Sequence, residues 1–343
     1  MNDQPEYSVI VPAWRAGHLL PDTLGALLAS DLPRARWELI VVDDASGDDT
    51  SGVAARLADR VVTLEGRPGG PGRARNAGAR VAVGAWLVFI DADVRVHVDT
   101  LSRMAAAVAR DPSLAALFGC YDTRPEAHGL ISEYRNLMHH YVHTLGAGAA
   151  STFWAGCGAV RTDAFNAVGG FDTVRFPRPQ IEDIDLGYRL CDAGGHILND
   201  PTIQGTHLKR WTFRGMLRTD LFDRGIPWML LLLERRHRSA TTLNTVRSEQ
   251  FKVALAAMAM VAVAAAAVLP HGWWCLVATV VLLALLAATN WRTYAWFAKE
   301  RGSRFALAII PLNLLYYGIS ALAAVIGIAR YATSPQRPRD VAG

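Results

Sequence analysis

The sequence predicts an α/β fold built on a mostly parallel sheet, followed by apolar helices of membrane-spanning length. Three observations predict it. Short apolar runs alternate with helix-spaced segments through the first 210 residues. Two of those runs end in acids, Val41-Val42-Asp43-Asp44 and Phe89-Ile90-Asp91-Ala92-Asp93. Near residue 250 the composition changes to long apolar stretches.

In chain order, Tyr7–Ala13 reads as a buried strand and Leu19–Ala29 has helical spacing. Trp37–Asp43 is a second strand and Arg60–Leu64 a third. Arg73–Val83 reads as a helix and Trp86–Asp91 as a fourth strand. Continuous apolar strands separated by helices imply a sheet covered on both faces. In such sheets ligands bind beyond the carboxyl ends of the strands, where these acids lie.

A membrane span needs about 20 apolar residues to cross roughly 30 Å of hydrocarbon. Phe251–Leu269, Gly272–Thr289 and Phe305–Ala329 are candidates. The first two carry one charge, Lys252, at an edge from which it can snorkel. Pro270-His271-Gly272 between them predicts a tight hairpin. Pro311, Asn313 and Gly318 interrupt the third stretch, which therefore either crosses or re-enters. Arg235, Arg236, Arg238 and Arg247 precede the first span, and Arg292, Lys299, Arg301 and Arg304 follow the second. The bias of positive charge toward the cytosol places both groups inside and the hairpin tip outside. A full third crossing would put Arg330, Arg337 and Arg339 outside, against that bias; a re-entrant segment would not. Phe213–Arg238 mixes Arg with Leu, Phe and Trp228, as interfacial helices do.

The whole chain has 343 residues, of which 51% are hydrophobic and 19% charged. Its mean hydropathy of +0.16 excludes global disorder. A net charge of +4 is too mild to argue for nucleic acid. Cys120, Cys157, Cys191 and Cys275 are widely spaced with no zinc pattern, which suits a reducing compartment. The N-terminus lacks a basic segment followed by an apolar run, so it is expected to stay in the cytosol.

Asp91-Ala92-Asp93 sets two carboxylates on one side of an extended segment. Such close anions repel unless a cation lies between them, and Mg²⁺ or Mn²⁺ takes oxygen ligands while sharing phosphate oxygens. Asp43 suits hydrogen bonds to a base or ribose, whereas Ser46, Asp48 and Asp49 suit capping of the next helix. Gly66–Asn76 is a Gly/Pro-rich loop whose arginines can meet a diphosphate; it is neither a Walker A loop nor G-x-G-x-x-G. Glu182-Asp183-Ile-Asp185 opens a helix, where acids suit the dipole or supply a general base. His207 precedes the basic, aromatic Lys209-Arg210-Trp211.

The order of these segments resembles the inverting family 2 glycosyltransferases of GT-A fold: Ser-Val-Ile-Val-Pro, Val-Val-Asp-Asp-Ala-Ser-Gly-Asp-Asp-Thr, Ala-Arg-Asn-Ala-Gly, Phe-Ile-Asp-Ala-Asp, Gly-Gly-Phe-Asp and Glu-Asp-Ile-Asp-Leu-Gly-Tyr-Arg-Leu. The resemblance covers about residues 7–211. It implies that Pro12, Ala13, Asp43, Asp44 and Arg75 serve the nucleotide of the donor. Asp91 and Asp93 would form the D-x-D metal and diphosphate site, joined by His207, with Mg²⁺ or Mn²⁺ as cofactor. Asp183, beside Glu182, would be the catalytic base. Gly156, Cys157, Gly158, Arg210 and Trp211 would line the acceptor side.

Two positions depart from the pattern. Trp14-Arg15 replaces the usual aromatic-Asn pair, and His207-Leu-Lys-Arg210-Trp211 carries His where processive members carry Gln. Transfer of a single sugar to a lipid or lipid-linked acceptor is therefore expected, from a UDP-sugar first and a GDP-sugar second. The alternatives are a processive polysaccharide synthase and a catalytically inactive, nucleotide-binding membrane scaffold. The expected division is a catalytic domain over residues 1–211, an interfacial segment over 212–250, a membrane region over 251–329 and a tail over 330–343. The expected location is the cytoplasmic membrane, multi-pass, with the catalytic domain in the cytosol; a homo-oligomer stays open.

Overall fold

The computed structural model describes residues 4–235 and 246–333. Arg236, Arg238, Arg337 and Arg339, used in the charge argument, lie outside the described residues. The chain divides into two compact units. One comprises the described residues of Met1–His128 and Arg135–Arg210, the other those of Gly129–Tyr134 and Trp211–Gly343.

The first unit begins with strand β1 (Tyr7–Ala13), helix α1 (Leu20–Leu28) and strand β2 (Trp37–Asp43). It continues through α2 (Thr50–Ala54), β3 (Arg60–Thr63), α3 (Pro71–Val81), β4 (Trp86–Ile90), β5 (Val94–Val96), α4 (Thr100–Arg110) and β6 (Leu114–Tyr121). Helix α5 (Leu130–Leu145) gives its first residues to the second unit. Then come β7 (Gly148–Ala150), β8 (Cys157–Arg161), α6 (Thr162–Ala167), α7 (Glu182–Asp192) and β9 (His196–His207).

These strands form one sheet in the order β3-β2-β1-β4-β8-β6-β9-β5, with β7 paired to β9. The first four are mutually parallel, as their continuous apolar runs predict. Beyond β4 the sheet becomes mixed: β8 is antiparallel to β4 and β6, while β6 and β9 are parallel. Apolar side chains of β1, β2, β4, β6 and β8 are buried on both faces. Burying a Leu- or Ile-sized side chain contributes about 1.5–3 kcal/mol. The polar ends of the strands are therefore what remains to meet a ligand.

The second unit is helical. It contains α8 (Phe213–Arg218), a π-helical turn (Thr219–Gly225), α9 (Ile226–Arg235), α10 (Arg247–Ala266), α11 (Trp273–Thr289), α12 (Trp291–Arg301) and α13 (Ser303–Thr333). Thr212 caps α8 by accepting from the Gly215 amide at 3.1 Å. Gly225 and Gly327 let α9 and the π-turn lie close against α13, because a Cβ there would meet Ala323 or Met229 at 2.7 Å.

By length and composition α10 and α13 can each cross a membrane, and α11 and α12 qualify only together, bent by 59°. The sequence places an interruption at Pro311, yet α13 runs unbroken through it. The break falls instead at Asn290, between α11 and α12. There the Asn290 side-chain Nδ2 donates to the Leu286 carbonyl at 2.9 Å at the end of α11. The Asn290 Oδ1 lies 3.1 Å from the Tyr317 hydroxyl of α13. A buried side chain that satisfies backbone groups stabilises a bend that Pro311 alone does not create.

Candidate active site

The register of the parallel half sets the site. Ala13 of β1 pairs with Asp43 of β2, and Ile10 pairs with Phe89 of β4. Asp43, Asp91 and Asp93 therefore emerge at the same carboxyl edge. Two non-glycine residues on this edge have positive φ, Arg15 at 50° after β1 and Ala45 at 56° after β2. Left-handed backbone at such residues costs free energy and concentrates at ligand-binding loops. The Arg15 amide donates to Ser46 Oγ at 2.8 Å, which ties the two turns together.

Asp43 is buried and accepts from the Ser46 amide at 3.0 Å and from the Ser51 hydroxyl. Asp44 is buried too, but it serves the glycine-rich loop. Its Oδ2 accepts from the Gly69 and Gly70 amides at 2.8 and 2.7 Å. Gly70 has φ of 83°, and a Cβ there would meet the Arg178 backbone at 2.9 Å. The sequence aimed the loop arginines at a diphosphate; the structure engages Arg73 and Arg75 with the protein. Arg73 donates to the Arg67 and Glu65 carbonyls at 2.8 and 3.0 Å. Arg75 points inward from the buried face of α3.

Arg75 is 4% exposed. It donates to Asp91 Oδ1 at 2.6 Å and to Glu182 Oε1 at 3.2 Å. Burial opposes its charge, but the carboxylates of Asp91, Glu182 and Asp183 outweigh that and raise its pKa above the ordinary arginine value. Burial also pushes the Asp91 carboxyl upward, against the pull of Arg75 and with the help of neighbouring Asp93. Asp93 shifts down despite burial, because the neighbouring His207 ring favours its charged form. Thr23 of α1 donates to the Ala92 carbonyl at 2.7 Å, between the two acids.

His207 ends β9 with Nε2 3.6 Å from Asp93 Oδ2. Its ring stacks on Tyr121, centroids 4.1 Å apart, and Tyr121 meets Trp154 edge-on at 4.9 Å. The sequence reading missed Tyr121 and Trp154. One signal was present: Tyr121 closes the apolar run of β6 as Asp91 closes that of β4.

Asp183 lies in the first turn of α7. Its Oδ2 accepts from the Ala155 amide at 3.3 Å and its Oδ1 from the Ile184 amide at 2.8 Å. The next residue, Gly156, accepts at its carbonyl from the Asp91 amide at 3.1 Å. Asp91 and Asp183 thus flank one dipeptide, although they are far apart in sequence. Gly187 allows this seating, because a Cβ on it would meet the Phe153 amide nitrogen at 2.3 Å. Glu182 was expected to act beside Asp183. It is buried, with Oε1 on Arg75 and Oε2 accepting from the Gln180 amide at 2.9 Å.

Cys157 and Gly158 were expected to line the acceptor side. Cys157 is fully buried within the core, and burial pushes its thiol pKa up. Gly158 packs under the Phe153 ring. Of that group only Gly156 addresses the acids. Arg210 is an exposed residue of the first unit. Trp211 belongs to the second, where its amide donates to Ser132 Oγ at 2.9 Å. Pro12 is half-buried and Ala13 buried at the end of β1.

Residues 8–169 match the family described as Glycosyl transferase family 2. The match includes Asp43, Arg75, Asp91 and Asp93 and stops before Asp183 and His207. Validoxylamine A glucosyltransferase of Streptomyces hygroscopicus subsp. jinggangensis is 30% identical over 223 residues, 55% of this chain and 52% of its own. Poly(ribitol-phosphate) beta-N-acetylglucosaminyltransferase TarS of Staphylococcus aureus is 33% identical over 107 residues, 30% of this chain and 19% of its own. The chain thus spans between a fifth and a half of the length of these curated relatives. Among solved structures, mannosyltransferase PcManGT from Pyrobaculum calidifontis, in complex with GDP-Man and Mn²⁺, is similar with a TM-score of 0.56. That likeness covers 94% of this chain and 88% of the other at 20% identity, and it concerns the fold.

Proposed function

The chain carries a glycosyl transferase family 2 domain, and from that premise we propose that it moves one sugar from a nucleoside-diphosphate sugar to a lipid or lipid-linked acceptor with inversion. One observation supports this reading above the others: Asp91 and Asp183 meet around Ala155-Gly156 at the carboxyl edge of the sheet. A transferase needs a place for the diphosphate and a proton acceptor on one substrate-sized scale. Asp43 is the candidate contact for the nucleoside. UDP is the first nucleotide to test and GDP the second.

The acids suit a divalent ion. Asp91 and Asp93 are two residues apart, with His207 against Asp93. Among the described residues no group of three or more His, Cys, Asp or Glu forms a metal cage. That donor set fits Mg²⁺ or Mn²⁺ held by one or two carboxylates and completed by phosphate oxygens. Asp91, Asp93 and His207 would hold it. When bound, such an ion offsets the charge that gathers on the departing diphosphate.

Asp183 takes the proton of the attacking hydroxyl. The acceptor oxygen bonds to the anomeric carbon as the carbon–oxygen bond to the diphosphate breaks, and its electron pair leaves with the diphosphate. One displacement from the opposite face inverts the centre. A phosphate acceptor needs no base, and Asp183 would then orient it. The binding of both substrates supplies the proximity.

The helical unit supports the choice of acceptor. With helices of membrane-crossing length and exposed Val261, Val263, Val280, Val281 and Trp274, we read the chain as a multi-pass protein of the cytoplasmic membrane with the catalytic domain cytosolic. Tethering raises the effective concentration of any lipid-borne acceptor. The test supplies UDP-glucose, UDP-GlcNAc or GDP-mannose with Mn²⁺ to the full chain in detergent. Polyprenyl phosphate, a polyprenyl-diphosphate saccharide and free sugars serve as acceptors. Transfer confined to the lipid-linked acceptors is expected; efficient transfer to a free sugar refutes the lipid assignment.

A further inference from the structure

A single buried guanidinium holds two carboxylates from segments far apart in the sequence, Asp91 after β4 and Glu182 at the start of α7. Resting on the transferase reading, we propose that Arg75 is a positioning residue. Braced by Glu182, it locks Asp91 of the D-x-D segment to the first turn of α7, so that the diphosphate side and Asp183 keep one register.

The contacts close into a ring. Asp91 Oδ1 accepts from one terminal nitrogen of Arg75 at 2.6 Å, and Glu182 Oε1 accepts from the other at 3.2 Å. Glu182 is followed directly by Asp183, whose Oδ2 accepts from the Ala155 amide at 3.3 Å. Gly156 then accepts from the Asp91 amide at 3.1 Å. Asp91, Arg75, Glu182 and Asp183 thus close a ring through the Ala155-Gly156 dipeptide, which connects the two functional acids in both directions.

Each member of the ring is fixed from outside it. Glu182 cannot swing away without losing the Gln180 amide, which donates to its other oxygen at 2.9 Å. The Arg75 guanidinium lies 5.4 Å from the Phe171 ring centroid. Phe171 is gripped by the neighbouring α3 residue: Asn76 donates to its carbonyl at 2.8 Å and accepts from its amide at 2.9 Å. The Ala-Arg-Asn and Gly-Gly-Phe-Asp segments therefore act together, one to place the guanidinium and the other to wall it in.

Chemistry explains the residue types. A guanidinium presents separate N–H groups in a planar fork and serves two carboxylates at fixed angles. An ammonium is a point charge on a flexible stem. With two carboxylates around one cation, the trio keeps one net negative charge. Removing the cation would leave two neighbouring acids without their counter-charge, which is strongly unfavourable where one of them, Glu182, is buried.

The experiment uses the full chain in detergent, with Glu182→Gln, Arg75→Lys and the double variant. Calorimetry with Mn²⁺ and UDP or GDP reads the diphosphate side, and turnover of UDP-glucose or GDP-mannose reads the register. A small misplacement of reacting groups costs up to about a hundredfold in rate. For Glu182→Gln, turnover is expected to fall about tenfold while nucleoside diphosphate affinity stays within about threefold. Arg75→Lys is expected to lose about tenfold in affinity and about thirtyfold or more in turnover, because Asp91 itself is released.

The double variant should be no worse than Arg75→Lys alone, since Glu182 acts only through Arg75. A merely structural role predicts losses that multiply and follow the melting temperature. Multiplying losses, or Glu182→Gln with wild-type turnover, overturn the clamp and leave the transferase reading standing. If Arg75→Lys does not fold, the split between turnover and affinity in Glu182→Gln decides alone. A wild-type chain with neither Mn²⁺-supported diphosphate binding nor donor turnover overturns the transferase reading and the clamp with it.

Discussion

Asp183→Asn removes a proton acceptor while keeping nearly every contact of the side chain. The Ile184 amide, 2.8 Å from Oδ1, still finds a carbonyl oxygen. The bond that suffers is the 3.3 Å contact from the Ala155 amide to Oδ2, where an amide nitrogen would now face an amide nitrogen. One long hydrogen bond of this kind contributes about 0.5–1.5 kcal/mol, so the fold should survive. A general base contributes about 10²–10⁴ in rate, equivalent to about 2.7–5.4 kcal/mol of barrier. The expected outcome with a hydroxyl acceptor is therefore a hundredfold or greater fall in kcat, a melting point lower by only a few degrees, and unchanged binding of the nucleoside diphosphate. Product formation by labelled-sugar transfer, with calorimetry on the same preparation, measures both. Turnover within about threefold of wild type would refute Asp183 as the base, because no smaller factor is consistent with proton transfer in the rate-limiting step.

Two further outcomes follow from packing and burial. Gly187→Ala places a methyl where the Phe153 amide nitrogen would lie at 2.3 Å, so α7 must shift or tilt. Overpacking of this kind costs about 1–3 kcal/mol; thermal unfolding should show a drop of several degrees, and turnover should fall with it, whereas an unchanged melting point would show that α7 is not seated on residues 152–153. Burial pushes the Cys120 thiol up to about 12 and Cys157 higher, so their thiolate fraction at pH 8 is on the order of 10⁻⁴ or less. Neither should react with iodoacetamide in the native protein, reactivity appearing only as pH rises toward those values or on unfolding; rapid labelling of both at pH 8 would contradict their burial.

Much of the first unit was legible because its determinants are local. Tyr7–Ala13, Trp37–Asp43 and Trp86–Ile90 are mostly apolar runs of strand length. The second ends in Asp43 and the third is followed by Asp91, acids set at the edge of a sheet covered on both faces. The acids at 43, 91 and 93 were readable because they follow apolar runs, and Asp183 because it is among the acids that open a helix. The later strands were less legible. The antiparallel β8 depends on pairing with β4 and β6 across some 40–70 residues, which no local pattern encodes. In the helical unit, the end of α11 at Thr289 matches the boundary expected from the sequence, whereas the choice the sequence left open at Pro311 is resolved by the unbroken α13. A proline removes one donor, but a buried asparagine that satisfies a carbonyl and meets Tyr317 redirects a helix only once its neighbours are in place.

By itself, then, the order of residues determined the early strands and helices and where acids follow their apolar runs, since these follow from side-chain periodicity and burial along a few turns of chain. Partnership was decided by the tertiary structure alone. Arg75, read as a contact for diphosphate, is turned to Asp91 and Glu182; Asp44 holds the glycine-rich loop; Cys157 lies in the core. The physical reason is that a buried charge must find its counter-charge or lose its hydration uncompensated, and which counter-charge lies within hydrogen-bond reach is fixed by how distant segments pack.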